Sequence, residues 1–131
     1  MSAPSCPRIV LVVEDDRDVR EAIVEVLQDN DYVTRTAANG IEALEQLREP
    51  GAKPCLILLD MMMPLMDGWQ FRKEQEADPE IGAIPVVVLS AHTSAREASE
   101  TMRTAGFLRK PVQLRTLLAT VERFCGNSAP C

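Results

Sequence analysis

The residues best equipped for chemistry in this 131-residue chain are a handful of carboxylates, one serine and one lysine. Each follows a short run that is mostly apolar. Ile9-Val-Leu-Val-Val13 leads into Glu14-Asp15-Asp16, Cys55-Leu-Ile-Leu-Leu59 into Asp60, Val86-Val-Val-Leu89 into Ser90, and Gly106-Phe-Leu-Arg109 into Lys110-Pro111. Crowded carboxylates repel one another unless a cation joins them, and an oxygen-ligand site open to water suits Mg²⁺. That ion is commonly anchored by one or two carboxylates, with waters and phosphate oxygens completing the shell, and Asp15 and Asp60 fit the role. With a metal drawing charge from an incoming phosphoryl group, Asp60 can act as a carboxylate nucleophile and form an acyl phosphate. Lys110 is a compact cation for a second phosphoryl oxygen, and the Ser90 hydroxyl can donate to a third. Pro111 fixes the turn from which the lysine is aimed.

Such residues meet only if the chain brings their strand ends to one edge. The runs at 9–13, 55–59 and 86–89 are apolar without alternation, as in strands buried on both faces of a parallel sheet. Tyr32 to Ala37 reads as a shorter, more polar strand, and Gly106 to Arg109 as a fifth. Between them, Val19, Ile23, Val26 and Leu27 give a helix over Arg17 to Asp29, and Ile41, Leu44 and Leu47 a second that stops at Pro50-Gly51. A third is expected from Gly68 to about Ala77. A fourth, over Ala95 to Thr104, carries only Ala98 and Met102 as an apolar stripe. The fifth shows Leu114, Leu117, Leu118, Val121 and Phe124. Strict β/α alternation predicts an α/β fold, a doubly wound parallel sheet of five strands flanked by five helices, with ligands bound outside the carboxyl ends of the strands. One domain over residues 8–125 is expected, with flexible tails at 1–7 and 126–131.

Composition agrees with one folded domain: 46% hydrophobic, 26% charged. The net charge of −6, with no basic cluster, argues against direct DNA binding. No apolar run nears the ~20 residues of a membrane helix, and the start lacks a secretion signal, so the expected compartment is the cytoplasm, with no membrane insertion. Cys6, Cys55, Cys125 and Cys131 show no metal-ligand spacing and are expected to be reduced thiols, Cys55 in the core and Cys125 near a frayed end. Met61, Met62, Met63 and Met66 read as packing rather than a soft-metal cluster.

Taken together, Val-Val-Glu-Asp-Asp (12–16), Leu-Leu-Asp-Met-Met-Met-Pro-Leu-Met-Asp-Gly (58–68), Leu-Ser-Ala (89–91) and Leu-Arg-Lys-Pro (108–111) resemble the receiver domains of bacterial two-component response regulators. The resemblance spans about Arg8 to Phe124. It implies a flavodoxin-like sheet of order 2-1-3-4-5. It implies Asp60 as the phosphorylated aspartate, Asp15 as a direct Mg²⁺ ligand, Glu14 as an outer ligand through water, and the Met62 backbone carbonyl as a further ligand. Ser90 matches the switch hydroxyl, Phe107 the switch aromatic, and Lys110 the family's lysine. The donor implied is a sensor histidine kinase or a histidine phosphotransfer protein. Output would pass to a partner protein through the face of the fourth helix, fifth strand and fifth helix, the chain being a monomer or a weak phosphorylation-dependent dimer. Such a domain catalyses its own phosphorylation and dephosphorylation but does not turn over external substrates.

The pattern has departures. Ser90 stands where Thr is frequent, Phe107 where Tyr is common, and the stretch from Ser90 to Lys110 is slightly shorter than in the chemotaxis member. Met62 is apolar where some members carry a polar residue, and with His92 it would shield a phosphoryl group from water, so slow hydrolysis is expected. Glu14-Asp15 alone reads equally as solvated loop charge; Asp60 and Lys110-Pro111 at their strand ends decide between the readings. A phosphatase using an aspartyl phosphate would want a second Asp where Met62 stands. A dinucleotide-binding module would want a Gly-rich turn where Glu14-Asp15-Asp16 stands. The remaining alternative is a receiver that docks partners without being phosphorylated.

Overall fold

The computed structural model describes residues 8–91 and 104–125. Five strands and four helices occur there: β1 (Ile9–Val13), α1 (Arg17–Asp29), β2 (Val33–Ala37), α2 (Gly40–Arg48), β3 (Leu56–Asp60), α3 (Gly68–Ala77), β4 (Val86–Ser90), β5 (Gly106–Arg109) and α4 (Leu114–Cys125). The helix expected over Ala95 to Thr104 falls outside the described residues, apart from Thr104, which is not helical. The last helix, counted fifth from the sequence, is therefore α4.

All strands are parallel, in the order β2-β1-β3-β4-β5. Every residue of β1, β3 and β4 is buried, as their unbroken apolar runs require when helices cover both faces. Within each strand the side chains alternate between two cores. Leu11, Val13, Ile57, Leu59 and Val88 pack with Ala43, Leu44 and Leu47 of α2 and Phe71 of α3. Val10, Val12, Leu58 and Leu89 pack on the other face with Ile23 and Leu27 of α1 and Leu117 and Val121 of α4. The edge strand β2 is mostly exposed or half-exposed, which explains its polar sequence.

Local signals set the helix ends. The Asp16 side chain accepts the backbone N–H of Asp18 and of Val19, capping α1, and Asn39 caps α2 by accepting from Glu42. Asp67 and Gln70 form a reciprocal capping box at the start of α3. Two residues read as core-facing lie outward: Ile41 on α2 and Leu114 on α4 are both exposed. They sit in first turns, where one face of the helix has not yet met the sheet.

The cysteines differ from expectation. Cys55 and Cys125 form a disulfide with Cα atoms 5.5 Å apart, and Cys125 is buried at the end of α4. Their separation of 70 residues gives no sequence motif. Topology supplies the proximity, because helices of such a sheet run back against the strands. The end of α4 therefore arrives at the amino edge, where Cys55 precedes β3.

Candidate functional site

Sheet register places the chemistry. Val13 pairs with Leu59, Asp60 with Leu89, and Ser90 with Arg109, so the four strand ends finish at one level. Glu14, Asp60, Ser90 and Lys110 occupy those ends. The carboxylates of Glu14, Asp15 and Asp60 offer oxygen atoms that all lie within 4.8 Å of one another. Glu14 is fully buried, Asp60 is 4% exposed, and Asp15 is exposed, which leaves the cluster one side open to water.

Lys110 reaches into this cluster. Its Nζ forms an ion pair with Glu14 Oε1 and lies 3.3 Å from Asp60 Oδ1. Its backbone N–H donates to the Ser90 carbonyl at 3.0 Å, and its peptide bond to Pro111 is cis. Burial alone would lower the Lys110 pKa. The hydrogen bond to Glu14 and the charges of Asp60 and Glu14 outweigh it, and the ammonium is held above the usual lysine range.

Asp60 moves the other way from an ordinary carboxyl. Burial is the largest cause. Hydrogen bonds to Glu14 and Asp15 and the negative charge of Glu14 add to it, the Lys110 charge opposes, and the pKa is pushed up to about 8. A carboxyl so placed keeps its proton at neutral pH until a cation compensates the charge. A donor set of hard oxygens, crowded, partly buried and open on one side, fits Mg²⁺.

The loop after Asp60 is held by backbone contacts. Gly68 donates its N–H to the Met61 carbonyl at 3.1 Å. A Cβ there would sit 2.9 Å from the Asp60 carbonyl oxygen and 3.0 Å from Met61 Cα, so only glycine allows α3 to start this close. Met62 N–H lies 3.4 Å from Asp60 Oδ1, while the Met62 side chain is 65% exposed at the rim. Met61 and Met63 are buried in the core.

Of the residues singled out from sequence, Glu14, Asp15, Asp60 and Lys110 converge. Ser90 is buried at the adjoining strand end. Phe107 lies on the edge strand β5, paired with Val88 and partly exposed. His92 falls outside the described residues. Two residues acquire tasks that the sequence did not announce. Asp16, third in the acidic run, caps α1 instead of joining the cluster. Arg20 donates from Nη1 to the Glu14 carbonyl at 2.8 Å and pins the loop that carries the acidic pair. A cation in the first turns of the helix after an acidic strand end was the available signal.

The family model for the response regulator receiver domain matches residues 10–122. Response regulator MprA of Mycobacterium sp. (strain KMS) is 33% identical over 131 residues, covering 95% of this chain and 53% of that protein. The chain thus spans about half the length of the curated relatives it matches. Among solved structures, the phosphorylated cyanobacterial phytochrome response regulator RcpA superposes with a TM-score of 0.77 at 30% identity, covering 94% of this chain and 96% of that one. The receiver domain of a sensor histidine kinase from Pseudomonas aeruginosa, with a magnesium ion coordinated in its active-site cleft, gives 0.82 at 25% identity, covering 92% and 99%. No helix among the described residues is long and apolar enough to cross a membrane. The register of the strand ends, the carboxylate cluster they build and the match across residues 10–122 lead to one conclusion: this chain belongs to the response regulator receiver domain family of two-component signalling.

Proposed function

We propose that this chain, as one receiver domain over residues 8–125, accepts a phosphoryl group on Asp60 from the phosphohistidine of a sensor histidine kinase or a histidine phosphotransfer protein. The observation that carries the reading is the placement of the Lys110 ammonium 3.3 Å from the Asp60 carboxylate, inside a cluster completed by Glu14 and Asp15. Mg²⁺, held by Asp15, Asp60 and the Met62 carbonyl, with Glu14 acting through water, would supply charge neutralisation of the phosphoryl oxygens.

The chain's own groups account for the rest. An Asp60 oxygen attacks phosphorus, the P–N bond to the donor imidazole breaks, and its electron pair stays on that ring. Lys110 neutralises one phosphoryl oxygen, and the Ser90 hydroxyl turns to donate to another. That turn leaves room for Phe107 to move inward. β5 and α4 then form the described part of the output face read by a partner protein. The domain catalyses its own gain and loss of phosphate and turns over no external substrate. We infer a cytoplasmic chain, without membrane insertion or direct DNA contact, monomeric or weakly dimeric when phosphorylated.

Incubation with phosphoramidate and Mg²⁺, followed by intact mass, tests this. A gain of one phosphoryl group that needs Mg²⁺ and disappears in Asp60→Asn is expected. No adduct on the wild-type chain, with Mg²⁺ binding also absent, overturns it in favour of a phosphorylation-independent docking module.

A further inference from the structure

A second pair of reactive side chains lies at the other end of the sheet. Cys55 stands five residues before Asp60, so an extended strand separates the two sites by roughly 16 Å. Its backbone N–H donates to the Ile9 carbonyl at 2.9 Å, which fixes the residue at the amino edge of β1 and β3. Cys125 is the last residue of α4 and is 5% exposed, packed in the core that holds Leu117 and Val121. The Cα atoms of the bonded pair are 5.5 Å apart, inside the range of about 4.4–6.8 Å in which a cystine closes without backbone movement.

We propose that Cys55 and Cys125 form a reversible thiol–disulfide switch that fastens or releases the last turn of α4. Both states are provided for. In the cystine, each sulfur is satisfied by the other. In the cystine the Cys55 Sγ lies 3.2 Å from the Ile9 carbonyl oxygen, so an S–H released there by reduction has an acceptor within reach. Reduction therefore leaves the half-buried Cys55 with a partner.

The chemistry balances through exchange with a low-molecular-weight disulfide such as oxidised glutathione. The Cys55 thiolate, the more exposed of the two, attacks one sulfur of the small disulfide, and a small thiolate leaves. The Cys125 thiolate then attacks Cys55 Sγ in the mixed disulfide, and the second small thiolate leaves. The protein loses two electrons and two protons, which end on two small thiols. Reversibility, as opposed to a permanent crosslink, rests on the cytoplasmic placement proposed above, where persisting disulfides are usually transient or redox-sensing. The switch acts on α4, one wall of the proposed output face, and leaves the distant acceptor residues in place.

The test uses the full chain with Cys6→Ser and Cys131→Ser, equilibrated across ratios of reduced to oxidised glutathione. Thiols are then alkylated and the intact mass is read. The unsubstituted chain is run beside it, with its disulfides located by peptide mapping. Expected is one cooperative passage from two alkylated thiols to none, without glutathione adducts or dimers. On reduction, amide hydrogen exchange should speed up over residues 121–125 and Tm should fall by roughly 10 °C. Phosphoramidate labelling, run on both forms, reports Asp60 separately, so failure of the acceptor reading cannot be mistaken for failure of the switch. Two alkylated thiols at the most oxidising ratio, or a stable glutathione adduct, would overturn the pairing. A cystine that persists at the most reducing ratio would overturn the switch.

Discussion

Asp60 is a buried acid whose environment opposes ionisation until a cation arrives, and two measurable pH dependences follow. In the metal-free fold its pKa is pushed up to about 8, whereas the unfolded chain loses that proton near pH 4. Between these values the folded state holds a proton that the unfolded state lacks. Stability should fall as pH rises from about 4 to about 8 and level off above. Asp60→Asn removes this slope, and urea unfolding in EDTA should show the variant more stable than wild type by roughly 2–4 kcal/mol at pH 8 and little different at pH 4. Because Mg²⁺ must displace the same proton, its apparent affinity should climb with pH until about 8, by up to about tenfold per unit, as calorimetric titration would reveal. Met62 is expected to govern a different property. Its side chain stands exposed at the rim, and Met62→Asn should shorten the lifetime of the Asp60 phosphate several-fold in a loss-of-label assay. An unchanged lifetime would remove Met62 from the account. At this scale the four converging residues were legible, because residue type and strand-end position suffice. The duties of Asp16 and Arg20 were not, because a capping bond and a bond to a backbone carbonyl depend on the local path of the chain.

Among the elements, α3 depends most on a single atom that is missing. The Cβ of Gly68→Ala would press on the Asp60 carbonyl and on Met61, with backbone atoms that cannot yield. The substitution should cost roughly 2–3 kcal/mol in urea unfolding and slow phosphoramidate labelling, since the displaced loop leads directly out of the proposed acceptor Asp60. Most element boundaries were legible from periodicity and stop signals. α1 spans Arg17–Asp29 and β5 spans Gly106–Arg109, as expected, and Glu49 ends α2 in extended conformation before Pro50. Which face of a first turn is covered was not legible. Ile41 and Leu114 carry the right residue type but lie where the sheet does not reach.

For the molecule as a whole, the central sheet divides the interior formed by the described residues into two apolar layers. Leu47 lies in one layer and Leu117 in the other, both almost fully buried. Each change to Ala should cost about 2–4 kcal/mol, and the double variant should lose their sum to within about 0.5 kcal/mol, because among the described residues no buried side chain belongs to both layers. A large coupling energy from denaturant unfolding of the four proteins would show that the sheet transmits packing changes. Sheet order needed the family resemblance, since alternation alone leaves several windings open. The cystine needed coordinates, because it joins a strand start to a helix end with 70 residues between them and no motif to announce either.

The start of α3 also equips the protein for spectroscopy. Trp69 is the chain's single tryptophan, 46% exposed, and it follows the glycine whose backbone N–H donates to the carbonyl of Met61, the residue after Asp60. Emission excited at the red edge of the indole band comes from this one ring. Any event at the carboxylates that shifts the loop changes its solvent contact, so Mg²⁺ titration and phosphoryl gain should each alter its intensity or wavelength without an attached dye. Stopped-flow fluorescence of the unlabelled chain then gives rate constants for both steps, and a trace that stays flat through either would mean that the loop holds still.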